Sequence, residues 1–243
     1  MKRKVCSLSF LLLFCAVIAL PAVSRANPPV AAVSVADPSV AKSVSARGDS
    51  MALSLTPDGV FVLFASTANN LVTKDHNAGF ADIFLRNRTN GTVALVSVNA
   101  SRTSGGNGHS PYASVTPDGR YVVFASDASD LVTNDFNQAG DAFVRDMTTG
   151  TTLLVSVNRQ GTGSGNGDSS SPTITPDGRY VAFVSAASDL VDGDTNGIPD
   201  VFVRDLQTGA TTLVSAQART GYGGSASSSD SPAMTPDGRF VAF

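Results

Sequence analysis

The sequence predicts an all-β fold, a β-propeller of four-stranded antiparallel blades. Three observations predict it. Thr-Pro-Asp-Gly stands at Thr56, Thr116, Thr175 and Thr235, at spacings of 60, 59 and 60 residues. Each period holds four short runs rich in Val, Phe, Thr or Tyr, bounded by turn residues. The second run is apolar on both faces, as in Tyr180-Val181-Ala182-Phe183-Val184, so its sheet is covered on both sides. A fixed period means repeated units, and a four-stranded unit covered on both sides is a blade packed between two others. Composition agrees, since all 20 acidic residues are Asp and Asp favours turns where Glu favours helices.

The elements follow in chain order. Residues 1–26 read as a secretory signal peptide: Lys2-Arg3-Lys4, an apolar run over 8–20, and Ser24-Arg25-Ala26 before the cleavage point. Removing them takes four of 17 Lys+Arg and none of the 20 acids, leaving 13 against 20 and a net charge near −7. Cys6 and Cys15 go with the peptide. An acidic, thiol-free, exported chain argues against nucleic acid and thiol chemistry, and no later segment is apolar enough to span a membrane. The expected location is periplasmic or extracellular.

Residues 27–43 form a leader in which 30–35 resembles the fourth-strand runs at 95–98 and 154–157, and so is a candidate closing strand. Blade 1 is assigned to 44–99, blade 2 to 100–158, blade 3 to 159–217 and a partial blade 4 to 218–243. The third copy shows the strands at 171–175, 179–185, 201–205 and 210–214. Thr-Pro-Asp-Gly joins the first pair: Pro176 presets φ, Asp177 tolerates the next position, and Gly178 takes one that side chains resist. Gln207-Thr208-Gly209 joins the second pair, as Thr149-Gly150 and Asn90-Gly91 do earlier. About three and a half repeats predict an incomplete ring. It is either a fragment of a longer chain or a ring completed by another segment, through self-association.

Pro172-x-x-Thr175-Pro176-Asp177-Gly178-Arg179-Tyr180-Val181-Ala182-Phe183-x-Ser185, followed by Asp200-Val201-Phe202-Val203-Arg204-Asp205-x-x-Thr208-Gly209, resembles the repeat of TolB-like, WD-repeat-like β-propellers. The resemblance implies the propeller fold and a binding or scaffold module. The period here is longer than that family's blade. The extra length falls in an Asp/Asn-rich loop after the second strand and a Gly/Ser-rich loop between blades.

The Asp/Asn-rich loop carries the candidate metal ligands. Copy three reads Asp192-Gly-Asp194-Thr-Asn196-Gly197-Ile198-Pro-Asp200. This puts oxygen side chains at positions 1, 3, 5 and 9 and a backbone carbonyl at 7, the opening spacing of a calcium loop. Copy two keeps Asp135, Asn137 and Asp141 but begins with Thr133. Copy one keeps Asp75, Asn77 and Asp82 and begins with Thr73. The spacing predicts Ca2+ as the one cofactor. The competing reading is a solvated turn whose Asp and Asn bond their own backbone.

Other signals resolve into the repeat. Gly161-x-Gly163-x-Gly165-x-Gly167 precedes a strand rather than a helix, so it reads as a flexible inter-blade loop and not as a phosphate loop. Gly48-Asp49-Ser50 and Arg47-Gly48-Asp49 fall where later copies read Gly108-His109-Ser110 and Gly167-Asp168-Ser169. His76 and His109 vary between copies, and no Ser-His-Asp arrangement is indicated. Arg86, Arg145 and Arg204 recur on the third strand and are expected to pair with repeated Asp residues such as Asp118 or Asp177. The expected function is non-enzymatic: an exported platform binding a protein or glycan through its loops. The alternatives are the accessory propeller of a longer, prolyl-oligopeptidase-like hydrolase and a structural part of a surface adhesion array.

Overall fold

The computed structural model describes residues 33, 35, 37, 45–77, 79–215 and 231–243. All belong to one compact unit, 32–243. The predicted signal peptide, most of the leader and residues 216–230 lie outside the described residues.

Blade 1 is β1 (Ser50–Leu55), β2 (Phe61–Ser66), β3 (Asp82–Asn87) and β4 (Val93–Leu95). Blade 2 is β5 (Tyr112–Val115), β6 (Tyr121–Ser126), β7 (Asp141–Asp146) and β8 (Thr151–Leu154). Blade 3 is β9 (Ser169–Ile174), β10 (Tyr180–Ser185), β11 (Asp200–Asp205) and β12 (Thr211–Leu213). Each is a four-stranded sheet in sequential order with antiparallel pairing. A fourth unit begins with β13 (Ala233–Met234) paired to β14 (Val241–Ala242). The described residues contain no α-helix, and no helix is long and apolar enough to cross a membrane. The all-β propeller architecture is thus present, with an unclosed run of blades.

The doubly apolar second strands are what hold the blades together. After their first residue, β2, β6 and β10 are buried throughout. One face of each stacks a Phe on the third strand of its own blade: Phe64 on Phe84, Phe124 on Phe143, Phe183 on Phe202, at 5.5–5.8 Å between ring centroids. That Phe layer is covered by the preceding blade. Leu63, Ile83, Leu85 and Val96 of blade 1 meet Phe124, Leu131 and Phe143 of blade 2. Val123, Val144 and Val155 of blade 2 meet Phe183, Leu190 and Phe202 of blade 3. On blade 1 the leader takes this place. Val33 packs on the cluster of Phe64, Leu71 and Phe84, the Asp37 amide donates to the Leu71 carbonyl, and the Asp37 carboxylate accepts from the Val93 amide.

Antiparallel order puts the first and third turns of every blade at one end and the longer loops at the other. At the turn end, Thr-Pro-Asp-Gly is stapled by its own side chains. The Thr175 hydroxyl donates to the Asp177 carboxylate (2.6 Å) and accepts from the Tyr180 amide, while Asp177 accepts from the Arg179 amide. The same bonds recur at Thr56, Thr116 and Thr235. At the loop end the Gly/Ser-rich connections are tied down, contrary to the flexible linker expected. The Asn166 amide donates to Asp189 and its side chain bridges Ser188 twice, as Asn107 does with Asp130 and Ser129. Their glycines are there for close approach: a Cβ on Gly165 would stand 2.7 Å from Leu190 and 2.9 Å from Ala187.

Candidate functional site

Two features gather charge. The first is a groove of about 420 Å³ at the outer edge of blades 2 and 3. Arg102 enters it from the connection between blades 1 and 2, Arg145 from β7 and Arg204 from β11, with Thr151 and Thr152 and an apolar floor of Leu131, Leu154 and Leu206. Among the described residues lining it there is no Asp, although the chain has 20. A smaller depression beside it adds Lys74 to Arg102 and Arg145.

These arginines do not make the ion pairs expected of them. Arg145 donates to the Thr152 hydroxyl (2.8 Å), Arg204 to the Thr211 hydroxyl (2.9 Å) and Arg86 to the Val35 carbonyl (3.1 Å). The expected partners are used elsewhere: Asp118 and Asp177 are held by their own turn threonines. The pairs that form are Arg120 with Asp146 and Arg179 with Asp205, at 3.0 and 2.9 Å within one blade, and Arg159 with Asp192 at 3.1 Å. Burial lowers the pKa of Arg145, helped by the nearby Arg102 charge, and burial alone lowers that of Arg204. The Arg145 Nε is buried with no hydrogen-bond partner. Arg102 stands at φ 59°, where the next copy has Gly161 at φ 71°. A long side chain is thus held in a left-handed backbone position that glycine takes without strain.

The second feature is the set of Asp/Asn-rich loops. In each, the residues at the third and ninth or tenth positions are buried: Asp75 with Asp82, Asp135 with Asp141, Asp194 with Asp200. The first position is not gathered with them. Thr73 and Thr133 are exposed, and the Asp192 side chain is 94% exposed and paired with Arg159. The asparagines orient the loop. Asn77 donates to Asp82 and to the Gly106 carbonyl, Asn137 to the Gly165 carbonyl, and Asn196 to Asp200. Asn137 and Asn196 accept from Ala139 and Ile198 amides, and Ile198 is half-buried. The described residues contain no cluster of three or more His, Cys, Asp or Glu.

A partner that sequence reasoning missed is the serine of the fourth-strand tail. Ser97, Ser156 and Ser215 each donate to the buried Asp that opens the third strand (Asp82, Asp141, Asp200) and accept from the amide that follows it. The recurring Leu-Val-Ser was the available signal.

Burial raises the pKa of Asp75 and Asp135 and pushes Asp82 and Asp141 up to about 7; at Asp141 the Asp135 charge adds to this. An acid whose folded pKa lies above its unfolded value binds its proton more tightly when folded. That stabilisation is full below the ordinary value of 3.8 and is lost as pH rises toward 7. In chelator-containing buffer, stability is therefore expected to fall between about pH 4 and about pH 7, by up to about 4 kcal/mol for each such group. Urea midpoints across that range check it. Asp141→Asn, which keeps an acceptor for Ser156, is expected to remove that group's share of the slope.

No family model and no curated protein matches the chain. Among solved structures it is similar to TolB from Acinetobacter baumannii, at 21% identity over 83% of this chain and 39% of that one, with a TM-score of 0.47. It is also similar to the putative TolB from Agrobacterium tumefaciens, at 18% identity over 68% of this chain and 48% of that one (TM-score 0.43). A third is the β-propeller domain of the Trilobed protease from Pyrococcus furiosus, at 13% identity over 69% of this chain and 41% of that one (TM-score 0.41). The chain spans less than half the length of each. The similarity is one of fold, to TolB-like propellers.

Proposed function

We propose that the protein is an exported, non-catalytic binding module. Its ligand, a protein or a glycan presenting anionic groups, lies in the arginine-lined groove. The observation that carries this reading is the convergence of Arg102, Arg145 and Arg204 on a groove without a lining Asp, in a chain whose acids outnumber its bases. Guanidinium groups already anchored on one side by threonine hydroxyls lose little freedom when they meet a carboxylate or sulfate. Charge-assisted bonds of that kind are about twice as strong as neutral ones. The leucine floor gives the ligand an apolar contact as well. The rigid blades supply the frame, and the residues that differ between copies supply selectivity.

Arg102 separates binding from folding. Arg102→Gly removes one charge and gives the left-handed position the residue that it favours. Stability is expected to stay level or rise by up to about 1 kcal/mol. Affinity for an acidic ligand, first identified on glycan arrays and by capture from the extracytoplasmic fraction of the native host, is expected to fall about tenfold or more. Wild-type binding should also weaken as salt is raised. Binding that is salt-independent and unchanged in Arg102→Gly overturns the reading.

A further inference from the structure

We infer that the Asp135 and Asp141 carboxylates in the loop of blade 2 hold one divalent cation, of the hard, oxygen-liganded class to which calcium belongs. This goes beyond the binding-module reading and does not depend on it. Asp135 is 7% exposed and Asp141 is fully buried. Both Asp135 oxygens and the Asp141 Oδ2 are buried without a hydrogen-bond partner. The two carboxyls lie within hydrogen-bonding reach of each other, so two acids are brought together out of water. The Ser164 hydroxyl and the Asn137 amides stand near them, but none makes a well-aligned hydrogen bond to the three oxygens. The fourth is taken by Ser156.

Such a pair is stable only if a positive species lies between its members, either a shared proton or a metal ion. A bridging water could meet the lone pairs but would not offset two charges. The surrounding loop suits a cation better than a proton. Asn137 donates to the Gly165 carbonyl and accepts from the Ala139 amide. It lies near Asp141 but makes no hydrogen bond of normal geometry to its Oδ2, whereas Asn77 donates both to the Gly106 carbonyl and to the corresponding oxygen of Asp82 in blade 1. Calcium accepts carboxylates and carbonyls in irregular arrangements, while magnesium demands a near-ideal octahedron and keeps its waters. Thr133, at the first loop position, is exposed and takes no part.

The test is calorimetric titration of the full chain with calcium chloride, with magnesium chloride as the comparison, beside thermal melts in chelator and in a few millimolar calcium. Wild type is expected to bind calcium with a dissociation constant of roughly 10⁻⁴–10⁻³ M and to melt about 2–6 °C higher in its presence. Asp135→Asn is expected to bind one equivalent less. Asp192→Asn, altering an exposed side chain in another loop, is expected to leave binding at Asp135 and Asp141 intact. If wild type binds no calcium and melts at the same temperature in both buffers, the pair shares a proton and the inference is overturned. The same holds if Asp135→Asn retains every equivalent. Should that variant fail to fold, equilibrium dialysis of Asp141→Asn against wild type decides between the same outcomes.

Discussion

Phe124→Ala is expected to cost about 3–5 kcal/mol of unfolding free energy, one of the two largest effects anticipated for a single substitution in this chain. Phe124 is fully buried and stacked on Phe143 at 5.6 Å, with their rings 25° apart. It lies in the layer that joins blade 2 to Leu63, Ile83 and Leu85 of blade 1. Truncation removes its own apolar burial and leaves a cavity that two rigid sheets collapse into poorly. Because the layer is shared, the loss should loosen the contact between blades 1 and 2 as well as blade 2 itself, and the urea transition should broaden as adjacent repeats uncouple. Phe240, 66% exposed, is the control, and Phe240→Ala should change stability by about 0.5 kcal/mol or less. A loss below about 1 kcal/mol at Phe124 would mean that the inter-blade layer is not what holds the blades together.

Gly178→Ala is expected to cost about 2–4 kcal/mol, although it adds a single methyl group. Two penalties add. At φ +75° the backbone is left-handed, which costs a non-glycine residue about 1–2 kcal/mol. The new Cβ would also stand 2.3 Å from Cδ2 and 2.5 Å from Cε2 of Tyr121 in the preceding blade. Arg120 lies over that ring at 4.6 Å and is itself bonded to Asp146 at 3.0 Å, so moving the ring disturbs both contacts. The same contact joins Gly119 to Phe61 and Gly238 to Tyr180, so the turn glycine is a blade-to-blade contact as well as a hairpin residue. Gly193, at φ +82° with nothing within 4 Å of a built Cβ, separates the two penalties. Gly193→Ala should show the backbone cost alone, about 1–2 kcal/mol. Combining Gly178→Ala with Tyr121→Ala should recover the steric part, which a double-mutant cycle measures.

The blades were legible because their determinants are local and recur. The third-copy strands expected at 171–175, 179–185, 201–205 and 210–214 are found at Ser169–Ile174, Tyr180–Ser185, Asp200–Asp205 and Thr211–Leu213, with shifts at the ends only. Thr-Pro-Asp-Gly was readable as a turn; the hydroxyl-to-carboxylate bond that completes it is a contact between residues two apart. The charged groups were less legible. Arg145 and Arg204 read as ion-pair partners because Arg and Asp recur together, but a repeat cannot show which of several equally spaced acids faces a given base. Arg102 carried no signal, since its strain is visible only against Gly161 in the same place one copy later.

The sequence by itself determined the repeat, the strand order within it, both hairpin turns and the doubly covered second strand. Each depends on residues a few positions apart, or on the count of apolar faces. Only the tertiary structure decided which oxygens of the Asp/Asn-rich loops turn inward. By spacing alone, Asp192 was as good a ligand as Asp194. What distinguishes them is the neighbouring connection. In copy three, Arg159 draws Asp192 outward. In copy two, Ser164 and Gly165 are laid across the loop by bonds from Phe136 and Asn137, about 28 residues earlier in the chain. The arginine groove has the same origin, since Arg102 comes from the connection between blades 1 and 2, Arg145 from blade 2 and Arg204 from blade 3, and they meet only because the blades stack in register. Local sequence sets the conformation of a blade. The placement of one blade against the next sets which charges are desolvated, and desolvation decides their chemistry.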